Sequence, residues 1–152
     1  MSNTTVKPGS KIYLVGIGGV SMSAIAHMLL NDGYIVCGSD RSSSPRTEKM
    51  AKAGIKVFIG HNPENITEDI DLLVYTAAIS DDNPEIKRAK ELGVSCIDRA
   101  EMLGIIMKDY ECPIAVSGTH GKTTTTGMLS QIFVESGKNP TINIGGDLDI
   151  IR

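Results

Sequence analysis

Short apolar runs that stop at a glycine alternate with stretches of helical periodicity along the first 110 residues. Lys11–Gly16 is such a run and is predicted to form a buried strand. The segment after it carries apolar residues at the spacing of one helical face, namely Met22, Ile25, Ala26, Leu29 and Leu30. Strands that alternate with helices of about ten residues require right-handed crossovers. The pattern therefore predicts an α/β fold with a Rossmann-like, doubly wound parallel sheet.

Capping residues mark the ends of the predicted helices. Ser21 is expected to be the N-cap of the first helix, and Gly33 is expected to follow its C-terminus. Pro45 near the first position and Gly54 past the end delimit the second helix. The remaining predicted elements are strands at 34–38, 55–59, 71–76 and 94–97, and helices at 45–53, 84–92 and 99–108.

A second strand–turn–helix pattern begins after residue 110. Pro113–Ser117 is an apolar run that leads into a glycine-rich turn, and the helix after that turn ends at Gly137. Pro140–Ile144 is predicted to form one more strand. A single βαβ unit of about 40 residues is too small to bury a core of its own. We predict two domains, 1–110 and 111–152, of which the second is incomplete.

Composition and charge exclude several classes of protein. The net charge is -3, and a nucleic-acid-binding domain would be expected to carry a basic stripe. No apolar run approaches the roughly 20 residues that span a bilayer, and the polar N-terminus contains no signal region. The three cysteines form no metal-binding or C-x-x-C pattern, so free thiols in a reducing cytoplasm are expected.

The first glycine-rich turn, Gly16–Ser21, lies between a predicted strand and a predicted helix. Gly18 and Gly19 let the backbone approach a phosphate, and the helix N-terminus offers free N–H groups. Asp40 ends the second strand, where a dinucleotide-binding protein places the acid that holds a ribose hydroxyl. A ligand-free tight turn, with Asp40 as a cap, is the alternative. Ser21 replaces the third glycine, so the dinucleotide fingerprint is incomplete.

The second glycine-rich turn, Gly118–Thr124, resembles a phosphate-binding loop that is shorter than a Walker A motif. Its amides can cradle phosphate oxygens, the Lys122 ammonium can reach the β- and γ-phosphates, and the Thr123 hydroxyl can ligate Mg²⁺. His120 is interpreted as a positional residue or as a general base. The residues predicted to bind ATP are Gly118, Thr119, His120, Gly121, Lys122, Thr123 and Thr124.

The two turns in this order resemble the Mur ligase family. The family signature Gly-Thr-x-Gly-Lys-Thr is similar to 118–123, and GIGGVSMS at 16–23 resembles the first turn of the alanine-adding branch. Ser21 stands where most relatives have glycine, which puts the geometry of a diphosphate turn in question. Further similar stretches are GSD at 38–40, GHNPENI at 60–66, AI-x-x-x-NPE at 78–85, RAEML at 99–103 and GG at Gly145–Gly146.

This resemblance implies ATP-dependent ligation of L-alanine to the lactyl carboxylate of UDP-N-acetylmuramate through an acyl phosphate, in peptidoglycan synthesis. It implies a UDP-sugar domain at 1–110 and the start of the central P-loop ATPase domain at 111–152. Lys122 and Thr123 would be catalytic, with ATP and Mg²⁺ as cofactors. The residues implied to bind the sugar nucleotide are Gly18, Gly19, Asp40, His61, Thr76 and Ala78. Because the acidic metal ligands and the alanine site would lie elsewhere, the chain alone is expected to be inactive.

Three alternatives remain open from the sequence. The murein-tripeptide recycling branch of the same family is the first, although its first turn is less similar. An NAD-dependent dehydrogenase domain accounts for Gly16–Ser21 and Asp40 but leaves Gly118–Thr124 unexplained. A non-enzymatic nucleotide-binding module is the third. The sequence predicts neither the oligomeric state nor the amino-acid specificity.

Overall fold

The computed structural model describes residues 6–145, so that Gly146, which belongs to one of the similar stretches, lies outside the described residues. The chain divides into two compact units, Met1–Met107 and Lys108–Arg152. The strands are β1 (Lys11–Val15), β2 (Ile35–Asp40), β3 (Lys56–Ile59), β4 (Leu72–Tyr75) and β5 (Ser95–Asp98). The α-helices are α1 (Val20–Asn31), α2 (Pro45–Lys52), α3 (Pro84–Glu91), α4 (Arg99–Met107) and α5 (Lys122–Glu135).

The first unit contains one parallel sheet with the strand order β3-β2-β1-β4-β5. The order reverses between β1 and β4, and this is where an open α/β sheet forms a crevice at its carboxyl edge. The prediction of a doubly wound parallel sheet is confirmed. A single-turn 3₁₀ helix at Pro63–Asn65, which the sequence analysis did not predict, stands in the connection from β3 to β4.

Both faces of the sheet are covered by apolar side chains. One face packs against α1, α2 and α4, and the predicted stripe on α1 lies there, with Met22, Ile25, Ala26 and Leu29 buried. The other face carries a smaller cluster that includes Tyr13, Leu73 and Ile86 of α3. Two buried faces explain why the strands read as continuous apolar runs rather than as alternating ones.

Turn chemistry sets most helix ends as predicted. Pro45 begins α2 behind Ser44, whose side chain accepts a hydrogen bond from the Thr47 N–H. Gly33 and Gly54 follow the C-caps of α1 and α2 with φ of +83° and +91°, a region that glycine enters without strain. The prediction that Ser21 caps α1 was wrong. The helix begins earlier, at Val20, so the N-cap is Gly19 and no side chain caps it.

The second unit differs from its predicted form. The helix after the glycine turn is present as α5, but neither Pro113–Ser117 nor Pro140–Ile144 forms a strand. A strand exists only when its backbone groups pair with a neighbour, and apolar composition alone does not supply one. Within the described part of the chain, no helix has the length and apolarity needed to cross a bilayer.

Candidate functional site

The first glycine turn is fastened to the end of the neighbouring strand. Gly16, with φ of +78°, connects β1 to the turn. The N–H groups of Gly16 and Ile17 both donate to the Ser39 carbonyl of β2, at 2.8 and 2.9 Å, and the Gly19 N–H donates to the Gly16 carbonyl at 3.1 Å. Backbone hydrogen bonds therefore hold the turn at the carboxyl edge of the sheet.

Asp40 adds a side-chain contact to this fastening. The Gly18 N–H donates to Asp40 Oδ2 at 2.8 Å, and the Ser42 N–H donates to Asp40 Oδ1 at 3.3 Å. A Cβ atom at Gly18 would lie 2.7 Å from Asp40 Oδ2 and 2.9 Å from Thr47 Cγ2, so any other residue would displace these side chains. A carboxylate has about four acceptor sites, so Asp40 retains capacity for a ligand hydroxyl.

The N-terminus of α1 provides the free donors of the turn. Its first intrahelical hydrogen bond runs from the Ser23 N–H to the Gly19 carbonyl at 2.9 Å. The N–H groups of Val20, Ser21 and Met22 precede that bond and lie at the positive end of the helix dipole. Because Gly18 and Gly19 use their N–H groups internally, these three are the donors that an anion would meet.

Two arginines that the sequence analysis did not single out contact the same turn. Arg46 Nη1, on the first turn of α2, donates to the Gly18 carbonyl at 2.9 Å. Arg99 Nη1, at the start of α4, donates to Ser21 Oγ at 2.9 Å. In a parallel sheet, the helices after β2 and β5 begin at the edge where β1 ends, so their first residues converge on this turn. The signal was the position of each arginine at a helix start.

A buried carboxylate organises the next layer. Glu85 of α3 is 0% exposed. Its Oε1 accepts from the Tyr13 hydroxyl and the Asn65 amide at 2.8 Å each, and from the Asn62 N–H at 3.4 Å. Burial raises the pKa of Tyr13 well above its ordinary value, so the phenol stays protonated and can donate. The carboxylate thereby ties β1 to the loop that follows β3.

The other oxygen of Glu85 holds His61. Glu85 Oε2 accepts from the Ser39 hydroxyl at 2.5 Å and lies 3.0 Å from His61 Nδ1. Ser39 Oγ also lies 3.0 Å from the same nitrogen. Nothing in the local sequence indicated this role for Glu85, because its partners come from three separate segments.

The remaining predicted substrate residues lie at the same edge. Thr76 is half-buried and Ala78 is exposed in the turn after β4, where the Ile79 N–H donates to the Thr76 carbonyl at 2.9 Å. The Ile79 side chain approaches Gly16, within 3.7 Å of the position that a Cβ atom would take there. The structure brings together at the carboxyl edge all six predicted substrate residues: Gly18, Gly19, Asp40, His61, Thr76 and Ala78.

The second glycine turn lies in the other unit. Gly118 and Gly121 have φ of +150° and +78°, and Gly121 is the N-cap of α5 without a side-chain cap. Lys122 Nζ donates to the carbonyls of Gly118 and Thr119. Every residue of 118–124, including His120, Thr123 and Thr124, is exposed. An uncapped helix N-terminus beside an ammonium group is suited to an anion such as phosphate.

These features define a class of protein, a Rossmann-like α/β domain with a glycine turn at the carboxyl edge of its sheet, followed by a second glycine turn that leads into a helix. Residues 11–111 match the family described as Mur ligase family, catalytic domain. The chain belongs to the Mur ligase family. This assignment decides against the dehydrogenase alternative, which left the second turn unexplained.

Several of the similar proteins are named for the same activity. The chain is 56% identical over 140 residues to the UDP-N-acetylmuramate–L-alanine ligase of Acetivibrio thermocellus, covering 92% of this chain and 30% of that protein. The crystal structure of the UDP-N-acetylmuramate–alanine ligase of Thermotoga maritima superposes with a TM-score of 0.85 at 39% identity, covering 93% and 33%. A murein peptide ligase from Psychrobacter arcticus gives 0.77 at 30% identity, covering 85% and 27%. The chain thus spans about a third of the length of the curated relatives it matches.

Proposed function

We propose that this chain belongs to an ATP-dependent ligase that adds L-alanine to the lactyl carboxylate of UDP-N-acetylmuramate. It supplies the site for that sugar nucleotide and, at Gly118–Thr124, the turn that binds the phosphates of ATP. The observation that carries the proposal is the first glycine turn, with three free helix N–H groups and two arginines at the switch point of the sheet. The names of the relatives supply the substrate class.

In the first unit, charge complementarity determines where the diphosphate binds. The N–H groups of Val20 and Ser21 lie at the positive end of the α1 dipole. Arg46 and Arg99 provide the cationic side chains that the glycine turn itself does not contain. Gly18 and Gly19 contribute by having no Cβ atom, which permits close approach. Asp40, His61, Thr76 and Ala78 surround the uridine and its linkage.

In the second unit, the residues of the Gly118–Thr124 turn fit a nucleotide triphosphate. The uncapped N-terminus of α5 offers amides, and Lys122 is already folded over the turn where phosphate charge would be neutralised. ATP, when bound with Mg²⁺, would supply the phosphoryl group that activates the carboxylate. Lys122 would hold phosphate oxygens, and the Thr123 hydroxyl would provide one metal ligand.

The 152-residue chain by itself is proposed to have no ligase activity. It spans 30% of the Acetivibrio relative, and among residues 6–145 no three His, Cys, Asp or Glu side chains are grouped so as to hold a metal ion. Mg²⁺ bound with a nucleotide usually takes one or two carboxylate ligands beside water and phosphate oxygens, and Thr123 supplies only a hydroxyl. Release of phosphate that depends on both ATP and L-alanine by this chain would contradict this part of the proposal.

A thermal-shift comparison of UDP-N-acetylmuramate, NAD and ATP tests the sugar-nucleotide site. A ligand that binds only the folded chain raises its melting temperature. At a ligand concentration of a hundred times Kd, the free energy of unfolding rises by about 2.7 kcal/mol. We expect the sugar nucleotide to stabilise the first unit and NAD to have no effect. Stabilisation by NAD alone, or by neither compound, would exclude the proposed site.

The murein-tripeptide recycling ligase is the second candidate, since the Psychrobacter enzyme has the same fold over 85% of this chain. The higher identity to alanine-adding relatives favours the first candidate. In either case the proposed place of action is the cytoplasm and the proposed process is cell-wall synthesis, with its consequences for cell shape and division.

A further inference from the structure

The Glu85 network constrains the protonation of His61. Four hydrogen-bond donors point at the Glu85 carboxylate, His61 Nδ1 lies 3.0 Å from its Oε2, and the carboxylate is wholly buried. Buried polar groups of this kind need all their partners, because an unpaired one costs free energy. Glu85 is therefore the common acceptor of the cluster.

A count of protons around His61 Nδ1 follows from these contacts. The Ser39 hydroxyl has one proton, which it donates to Glu85 Oε2 at 2.5 Å. Ser39 Oγ is then an acceptor towards His61 Nδ1, which lies 3.0 Å away. Glu85 Oε2, also 3.0 Å from that nitrogen, is an acceptor as well. Both neighbours of Nδ1 accept, so Nδ1 carries a proton.

The other ring nitrogen is consequently the free one. A neutral imidazole has one N–H, so with Nδ1 protonated Nε2 presents a lone pair. The side chain of His61 is 19% exposed, and among the described residues none makes a hydrogen bond to Nε2. Because Nδ1 is held against the protein interior, the accessible edge of the ring is the one that carries Nε2.

We propose that Glu85 is a positioning residue that holds His61 in the Nδ1–H tautomer, so that Nε2 accepts a hydrogen bond from a donor on the nucleoside of the bound sugar nucleotide. This inference rests on the proposed function for the identity of the ligand. His61 follows β3 and lies beside Ser39 and Asp40 at the carboxyl edge, next to the turn assigned to the diphosphate.

Uridine offers two kinds of donor to such an acceptor. They are the N3–H of the base and the hydroxyls of the ribose, and both are N–H or O–H groups that a lone pair can bind. An acceptor opposite N3 would also reject cytidine, whose N3 carries a lone pair. Buried polar groups left unpaired are what makes a site of this kind selective.

The first test needs no ligand. Nitrogen-15 NMR of the neutral imidazoles in the 152-residue chain should show His61 protonated at Nδ1 and unprotonated at Nε2, with exposed His120 as the reference in the same spectrum. In Glu85→Gln, an amide donor faces the same partners, and the His61 signals should move towards the Nε2–H form. An Nε2–H tautomer in the unsubstituted chain would overturn the proposal.

The second test measures the affinity for UDP in matched variants of His61. His61→Asn keeps a donor near the Nδ1 position and loses Nε2, so about tenfold weaker binding is expected. His61→Gln places an amide oxygen near the Nε2 position and should recover much of that loss, which a merely structural role would not predict. Equal Kd values for the two variants would overturn the proposal.

Analogues identify the donor. UDP methylated at N3, 2′-deoxy-UDP and 3′-deoxy-UDP are compared on the unsubstituted chain and on His61→Asn. On the unsubstituted chain, the analogue that lacks the relevant donor should bind about tenfold more weakly than UDP. On His61→Asn, the same analogue and UDP should have equal Kd values. If UDP binds and no analogue behaves so, this inference is wrong while the proposed function stands. If UDP does not bind at all, both are wrong.

Discussion

The two glycine turns of this chain differ in what holds them. The first is tied by side chains from other elements, through Asp40, Arg46 and Arg99. The second is held by its own residues, with Lys122 folded back onto the carbonyls of Gly118 and Thr119. The first turn thus receives two cationic side chains from other helices, whereas the cation of the second turn is its own Lys122.

The two units also differ in burial. The first has apolar clusters on both faces of its sheet. In the described part of the second unit, Ser130 is the one buried residue, and Met128 and Ile132 of α5 are each 62% exposed. Burial of apolar area is the main source of folding free energy, so the first unit carries the stability of the chain.

The largest effect is expected where the first unit is packed most tightly. A Cβ atom at Gly38 of β2 would overlap the Leu14 carbonyl oxygen of β1. Gly38→Ala should therefore lower the free energy of unfolding in urea by about 3 kcal/mol or more. The control is Gly104→Ala in α4, where nothing lies within 4 Å. There alanine should stabilise by about 0.5–1 kcal/mol. Equal effects would contradict the packing described.

Removal of the buried carboxylate should have the next largest effect. Glu85→Ala leaves the Tyr13 hydroxyl and the Asn65 amide without their acceptor, which should cost about 3 kcal/mol in the free energy of unfolding. Glu91→Ala on the same helix removes a 65% exposed side chain and should change stability by no more than about 0.5 kcal/mol. A loss below about 1 kcal/mol for Glu85→Ala would show that water replaces the carboxylate.

A pair of alanine substitutions compares the two turns directly. Gly18→Ala drives a methyl group into Asp40 and Thr47, and about 2 kcal/mol of stability should be lost with weaker binding of the sugar nucleotide. In Gly121→Ala, the added Cβ atom meets no atom within 4 Å. The only cost is that of holding alanine at a positive φ, which should lower the free energy of unfolding by about 1 kcal/mol. Urea unfolding checks both. Equal losses of stability, with sugar-nucleotide binding unchanged in Gly18→Ala, would mean that the contacts of the first turn are unimportant.

The arginines should give the smallest effect. Arg46→Gln and Arg99→Gln should each weaken binding of UDP-N-acetylmuramate by about tenfold in calorimetry, because each removes one cation near the diphosphate. Because Arg46 is exposed, higher salt should reduce the difference in Kd between Arg46→Gln and the unsubstituted chain. Arg88→Gln, whose guanidinium pairs with Glu91 on α3, should leave Kd unchanged. A matching loss in Arg88→Gln would indicate a general charge effect.

How much the sequence predicts depends on whether the signal is local. The five strands of the first unit, the helix stripe at Met22–Leu29 and the glycines at 33 and 54 follow from periodicity and turn chemistry, and they were predicted. Glu85 acts through partners distant in the chain, which no pattern around it reveals, and for Arg46 and Arg99 the sequence shows only their position at a helix start. Pro113–Ser117 has strand composition but no paired neighbour, so its prediction was wrong.

The central claim is that the first glycine turn binds the diphosphate of a sugar nucleotide. A crystal structure of the chain soaked with UDP-N-acetylmuramate tests it most directly. We predict phosphate oxygens within hydrogen-bonding distance of the Val20 and Ser21 N–H groups, with the Arg46 or Arg99 guanidinium turned towards them. An empty turn between Gly16 and Ser21 at saturating ligand, or a diphosphate bound elsewhere, would contradict the account.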